Sequence, residues 1–189
     1  MPAAPSVYLA GPDVFRPDAP DRYRRMETLC ARMGLVGLRP SDGGIASGDP
    51  ACGPELAQRI YEGNVALIRR CDAVVANLSP FRGQVEPDSG TVFEVGVAVA
   101  LGKPVAAWMP GAELSYAERV RRAFPTRTDA AGTLWDDADG TWVEGFGEPL
   151  NLMLSRSTRL FGSFEQALAH LAAVLRPALH PAAADRAAG

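Results

Sequence analysis

The chain has 189 residues, a formal charge of −3, and 47% hydrophobic against 22% charged residues. That length buries a sizeable core without a metal or disulfide staple, and the acidic balance argues against a generic polyanion binder such as a nucleic-acid module. No apolar run approaches the ~20 residues of a membrane span, and residues 1–7 lack the basic-then-apolar pattern of a signal peptide.

In chain order, residues 7–10 form a short apolar run stopped by Gly11-Pro12, the pattern of a buried strand ending in a turn. Residues 21–33 carry Tyr23, Met26, Leu29, Cys30 and Met33 at helical spacing, and residues 35–38 are a second strand closed by Pro40. A Gly/Ser/Pro-rich loop spans 41–54, a helix 55–70, and a third strand 72–77. Residues 91–101 read as a helix buried all round, because Glu94 is their only charge. Residues 105–109 are a fourth strand after the Gly102-Lys103-Pro104 break. Residues 159–161 are a fifth, and Phe164, Leu168, Leu171 and Leu175 mark a last amphipathic helix.

Strands alternating with helices predict an α/β fold: a doubly wound, flavodoxin/Rossmann-like parallel sheet of five strands flanked by helices. Such sheets bind ligands beyond the C-terminal ends of their strands, which points to the loops at 11–15 and 78–88. The stretch 110–147 breaks the rhythm and reads as an insertion near the site, a candidate lid. It contains a helix over 114–123, whose Arg119, Arg121 and Arg122 are expected on a solvated face. It also holds a hairpin turn at Asp139-Gly140 between Trp135 and Trp142. A single domain over 1–178 and an Ala/Pro-rich tail over 179–189 are expected.

The three cysteines, Cys30, Cys52 and Cys71, are odd in number and lack C-x-x-C spacing, as expected of reduced thiols in a cytoplasmic protein. With only His170 and His180 present, acid–base work falls to carboxylates, with help from Tyr or Arg. Glu94 stands out. An ionised carboxylate among Val, Phe, Gly and Ala is costly unless it is paired or hydrogen-bonded, and a helix start capped by Asp88 or Ser89 would favour it. A structural glutamate in a capping box fits the same segment. A carboxylate held in this way is also a suitable nucleophile for a sugar anomeric carbon. Tyr8 is either a core tyrosine or a phenol donating to that carboxylate.

Four segments together resemble the nucleoside 2-deoxyribosyltransferase family: Tyr8-Leu-Ala-Gly-Pro-Asp-Val-Phe15; Cys71-Asp-Ala-Val-Val-Ala-Asn-Leu-Ser-Pro-Phe-Arg-Gly83; Asp88 and Glu94 followed by Val-Gly-Val-Ala-Val-Ala-Leu-Gly-Lys103; and Glu148-Pro-Leu-Asn-Leu-Met153. The resemblance implies that Glu94 is the nucleophile and that Tyr8 orients it. It implies that Asp88 holds the sugar 5′-hydroxyl, and that Phe15 lies near the base, with Gly11 on the same wall. Asn151 would reach a neighbouring subunit's site, lined by Met153, so the resemblance implies a homo-oligomer. The implied partners are a 2′-deoxynucleoside and a free nucleobase, with no metal or organic cofactor, in nucleoside salvage.

One position departs from the family. An aspartate that helps bind and protonate the leaving base often stands eight residues before the residue matching Asp72, and here that residue is Asn64. An amide hydrogen-bonds a base edge but supplies no proton. Asp13 is the substitute candidate for the general acid, and Arg82 is expected to contact the base or pair with Glu86. Two other functions share the motif. One is an N-glycosidase delivering the sugar to water from the same Glu94; the other is a non-catalytic nucleotide-binding module.

Overall fold

A computed structural model describes residues 3–40 and 53–176. Five strands, β1 (Ser6–Ala10), β2 (Val36–Leu38), β3 (Ala73–Asn77), β4 (Val105–Trp108) and β7 (Arg159–Phe161), form one parallel sheet in the order β2-β1-β3-β4-β7. Between them run α1 (Ala19–Arg32), α2 (Pro54–Arg70), α3 (Ser89–Ala100) and α5 (Leu152–Ser157), and α6 (Phe164–Leu175) follows the last strand. The doubly wound α/β sheet expected from the sequence is thus present. The chain reverses direction across the sheet at β1, so a crevice opens between the C-terminal ends of β1 and β3.

Side chains alternate across each strand, and this sorts the core into two layers. Val7, Leu9, Ala73, Val75 and Ala106 face α1 and α6, whereas Tyr8, Ala10, Val74, Ala76 and Ala107 face α2, α3 and α5. Tyr8 lies in the middle of β1 and is fully buried. Cys30 and Cys71 are free thiols buried in the two layers. None of the described helices is long and apolar enough to cross a membrane. Cys52, His180, residues 41–52 of the expected loop and the tail expected at 179–189 lie outside the described residues.

Three expectations change. The α3 helix is not buried all round, because Phe93, at 50% exposure, and Val99, at 38%, face outward. Between β4 and α5 the chain forms α4 (Tyr116–Ala123) and a hairpin of β5 (Thr126–Thr128) with β6 (Leu134–Asp136), a pairing that the sequence reading missed. The Asp139-Gly140 turn does return the chain, and it closes a single bridge between Trp135 and Trp142. Finally, Arg119 is not solvated. It is 8% exposed and donates to Met109 Sδ at 3.0 Å and to the Pro149 carbonyl, while Arg121 and Arg122 stay in solvent.

Candidate active site

The alternation of β1 turns Tyr8 toward α3, and the Tyr8 hydroxyl donates to Glu94 Oε1 at 2.5 Å. Eighty-six residues separate the two in sequence. Glu94 sits in the second turn of α3, whose N-cap is Asp88; Asp88 Oδ2 accepts from both Thr91 N and Thr91 Oγ1 at 2.9 Å. Glu94 is therefore not part of a capping box, and its hydrogen bond comes from the sheet. Burial pushes its carboxyl up to about 7, the Tyr8 hydrogen bond pulls it back, and the charge of Asp88 adds to the rise. Burial and the neighbouring Glu94 charge hold the Tyr8 phenol above the usual phenol range, so it remains a protonated donor.

Glu94 opens on a cavity of about 490 Å³, walled by Asp88, Gly90 and Thr91 at the start of α3 and by Gly11, Val14 and Phe15 from the loop after β1. Tyr23 from α1, Arg39, and Ile60 and Asn64 from α2 complete it. Gly11 is required by close approach: a Cβ there would lie 2.8 Å from Asn77 Cβ and 3.0 Å from Asp13 Oδ2. Phe15, 59% exposed, meets Phe81 at 5.5 Å between ring centroids. Glu94, Asp88, Asn64, Gly11 and Phe15 thus converge on one crevice, with Tyr8 bonded to Glu94 behind its wall, although their sequence positions span 87 residues.

Asp13 does not line this cavity. It is 4% exposed; Oδ2 accepts from Asn77 Nδ2 at 2.8 Å and Oδ1 accepts from Arg22 Nη1 at 3.3 Å. Asn77 in turn accepts from Ser79 N and Ser79 Oγ, so the pair joins the loops after β1 and β3 from behind Gly11. The expected ligand-side carboxylate is therefore turned inward. Arg82 stands outside the cavity with φ 50°, its guanidinium 4.8 Å from the Phe81 ring centroid and 5.4 Å from that of Phe15. Its expected partner Glu86 instead accepts the Tyr116 hydroxyl at 2.6 Å.

Asn151 and Met153 lie elsewhere. They line a second, largely apolar cavity of about 610 Å³ with Glu86, Val92, Val95 and Val99. Along a helix of 3.6 residues per turn, Val92, Gly96 and Val99 fall on one side of α3, and Thr91 and Glu94 on another. Met153 is 70% exposed, and Asn151 is the N-cap of α5. No residue of the 110–147 insertion lines the Glu94 cavity among the described residues, so the expected lid is not over that site.

Sequence reading missed Tyr23, Arg39 and Asn77. Its spacing puts Tyr23 on an apolar helix face, which does not distinguish a core tyrosine from one at a cavity wall. The one signal for Asn77 was a polar residue ending an otherwise apolar strand.

Residues 7–153 match the family model of nucleoside 2-deoxyribosyltransferases. An uncharacterized protein of Schizosaccharomyces pombe is 34% identical over 85% of this chain and 80% of its own length. A solved 2-desoxiribosyltransferase from Leishmania mexicana shares 36% identity, covering 89% of this chain and 97% of that one, at a TM-score of 0.69. A conserved protein from Enterococcus faecalis, 20% identical, shares the fold over 91% of this chain and 99% of its own, at a TM-score of 0.58. With the family model covering most of its length, from β1 to the start of α5, the chain belongs to the nucleoside 2-deoxyribosyltransferase family.

Proposed function

We propose that the protein exchanges nucleobases on 2′-deoxyribose through a covalent ester on Glu94. The observation that carries this reading is the Tyr8–Glu94 hydrogen bond of 2.5 Å at the wall of a cavity that also holds Asp88. One Glu94 oxygen is fixed by the phenol, and the other has no hydrogen-bond donor among the described residues. Burial makes the carboxylate a better nucleophile than a solvated one, and the Tyr8 donor keeps a useful fraction ionised near neutrality.

In the first step an oxygen of Glu94 attacks C1′, the C1′–N bond breaks, and its electron pair leaves with the base. The expelled base takes up a proton from water; in the second step the ring nitrogen of an incoming base gives its proton to water and attacks C1′, and Glu94 departs as carboxylate. Two inversions give net retention and ping-pong kinetics. Asp88 spends Oδ2 on the helix cap, which fixes its orientation and leaves Oδ1 for the sugar 5′-hydroxyl. A carboxylate there accepts from a hydroxyl and repels a 5′-phosphate, so free nucleosides are the substrates. The base lies against Phe15, and Asn64 hydrogen-bonds its edge. Asp13, with both oxygens engaged, serves as the brace of the loop that carries Gly11 and Phe15.

The assembly is a homo-oligomer. The bare side of α3 and the exposed Met153 form an apolar surface that a second copy would cover, bringing Asn151 to the neighbouring Glu94 site. The test is incubation with deoxyinosine and adenine, following deoxyadenosine by chromatography. Transfer is expected in the wild type and none in Glu94→Ala. Deoxyribose released to water at the same rate with and without acceptor would replace transfer by hydrolysis. Transfer surviving in the variant would refute Glu94 as nucleophile.

A further inference from the structure

The insertion grips one short strap of chain at successive points. Tyr116 N donates to the Glu148 carbonyl at 2.7 Å, and buried Arg119 donates to the Pro149 carbonyl. Glu144 then takes the end of the strap: its Oε1 accepts from Asn151 Nδ2 at 2.6 Å and its Oε2 from Leu152 N at 2.9 Å. Each of these contacts reaches from the insertion into residues 148–152, and none reaches the cavity of its own Glu94.

Glu144 is itself held. Val143, immediately before it, is 5% exposed and packs with Val120 and Leu134 in a small core of the insertion, to which Val85 of the loop after β3 also belongs. Val143 N donates to the Leu134 carbonyl at 2.9 Å. A side chain next to a packed and hydrogen-bonded residue loses little further freedom when it makes its own bonds. With both carboxylate oxygens committed, the amide plane of Asn151 is fixed on one side by Glu144 and on the other by Met153 N, which donates to Asn151 Oδ1 at 3.0 Å. The unused valences of that amide are one Nδ2 hydrogen and one Oδ1 lone pair.

We propose that Glu144 is the positioning residue for Asn151: its carboxylate aims the Asn151 amide at the 5′-hydroxyl of a deoxynucleoside in a neighbouring subunit, with the 110–147 insertion as its mount. This rests on the functional reading above. It replaces the lid expected from the sequence with a support that serves another copy's cavity.

The experiment is a double-mutant cycle in the full-length chain, using Glu144→Ala, Asn151→Ala and the double variant. Each is assayed for base exchange on a 2′-deoxynucleoside and on its 2′,5′-dideoxy counterpart, with thermal melting as the fold control. Glu144→Ala should lower kcat/KM on the hydroxylated substrate about tenfold to a hundredfold, the worth of hydrogen bonds to a charged group. On the 5′-deoxy substrate the change should stay within about twofold, and the double variant should be no worse than Asn151→Ala alone. If Glu144→Ala fails to fold, Glu144→Met, which keeps the side-chain length but no oxygen acceptor, is judged by the same criteria. Losses that multiply, an equal loss on both substrates, or wild-type activity in the variant would each overturn the assignment. Absence of exchange in the wild type would overturn the functional reading with it, whereas wild-type exchange beside any of those three results removes the Glu144 role alone.

Discussion

Replacing Tyr8 by Phe removes one oxygen and leaves the ring in its buried place, so its effect on Glu94 can be worked from the geometry. The lost contact is a charge-assisted O–H···O hydrogen bond of 2.5 Å. Hydrogen bonds to charged groups contribute about 1.5–3 kcal/mol, which corresponds to about one to two pH units. Burial already pushes Glu94 up to about 7, and the phenol opposes that rise. Its removal therefore sends the carboxyl higher. Attack on C1′ needs the ionised form, so kcat/KM for the nucleoside donor should fall on the acid side with a limb near pH 7 in the wild type and about one to two units higher in Tyr8→Phe. At pH 7 the ionised fraction then drops from about half to about a tenth or less. Above pH 9 the variant should recover most of that loss and retain only the cost of a less well aimed carboxylate. The assay is a pH–rate profile from 5 to 10 on both proteins. A limb that stays in place or moves to lower pH would refute the claim that Tyr8 holds Glu94 ionised.

Three further predictions follow from the same geometry. The unfolded chain ionises Glu94 near 4.5 and the folded one near 7, so the wild type loses stability as pH climbs through that window; Glu94→Gln should melt about 5–10 °C above it at pH 8, by at most about 3 kcal/mol, with the gap closing near pH 4.5. Equal melting temperatures at pH 8 would contradict the burial cost assigned to this carboxylate. Asp88→Ser and Asp88→Asn keep a helix-capping side chain but remove the charge, so the ratio of activity on deoxynucleoside 5′-monophosphates to that on nucleosides should rise at least tenfold, roughly the effect of one desolvated like-charge contact; an unchanged ratio would remove Asp88 from the 5′ end of the site. Val99→Asp sets a charge in the apolar cavity beside Met153, so size-exclusion chromatography should show a smaller particle with intact circular dichroism and lost exchange activity. An unaltered elution volume would mean that this side of α3 is not where copies meet.

The functional core of the crevice was legible because its signals are local or chemical. Short continuous apolar runs mark β1, β3 and β4 whatever their neighbours, and turn residues end them. Glu94 stood out as the single charge in an apolar helix, a placement that costs free energy unless something repays it. On the residues alone Tyr8 is either a core tyrosine or a donor, and the family resemblance implies the second. Asn64 and Phe15 came from the family resemblance, and both line the cavity.

Other features depended on which distant groups meet, and no local pattern encodes that. In sequence Asp13 stands as the substitute candidate for the general acid, and only the approach of Asn77, 64 residues away, turns it inward. Arg119 has the helical neighbours of a solvated residue, and burial comes from Met109 and the Pro149 carbonyl closing over it. The composition of α3 announced an apolar surface without saying whether this chain or another covers it, and packing leaves one side open. Sequence alone therefore determined the strand–helix order and the chemistry available, since both follow from side-chain type and period. Tertiary structure decided the partner of each polar group, because hydrogen bonds and burial depend on where the chain returns, and it separated the Glu94 cavity from the surface that carries Asn151.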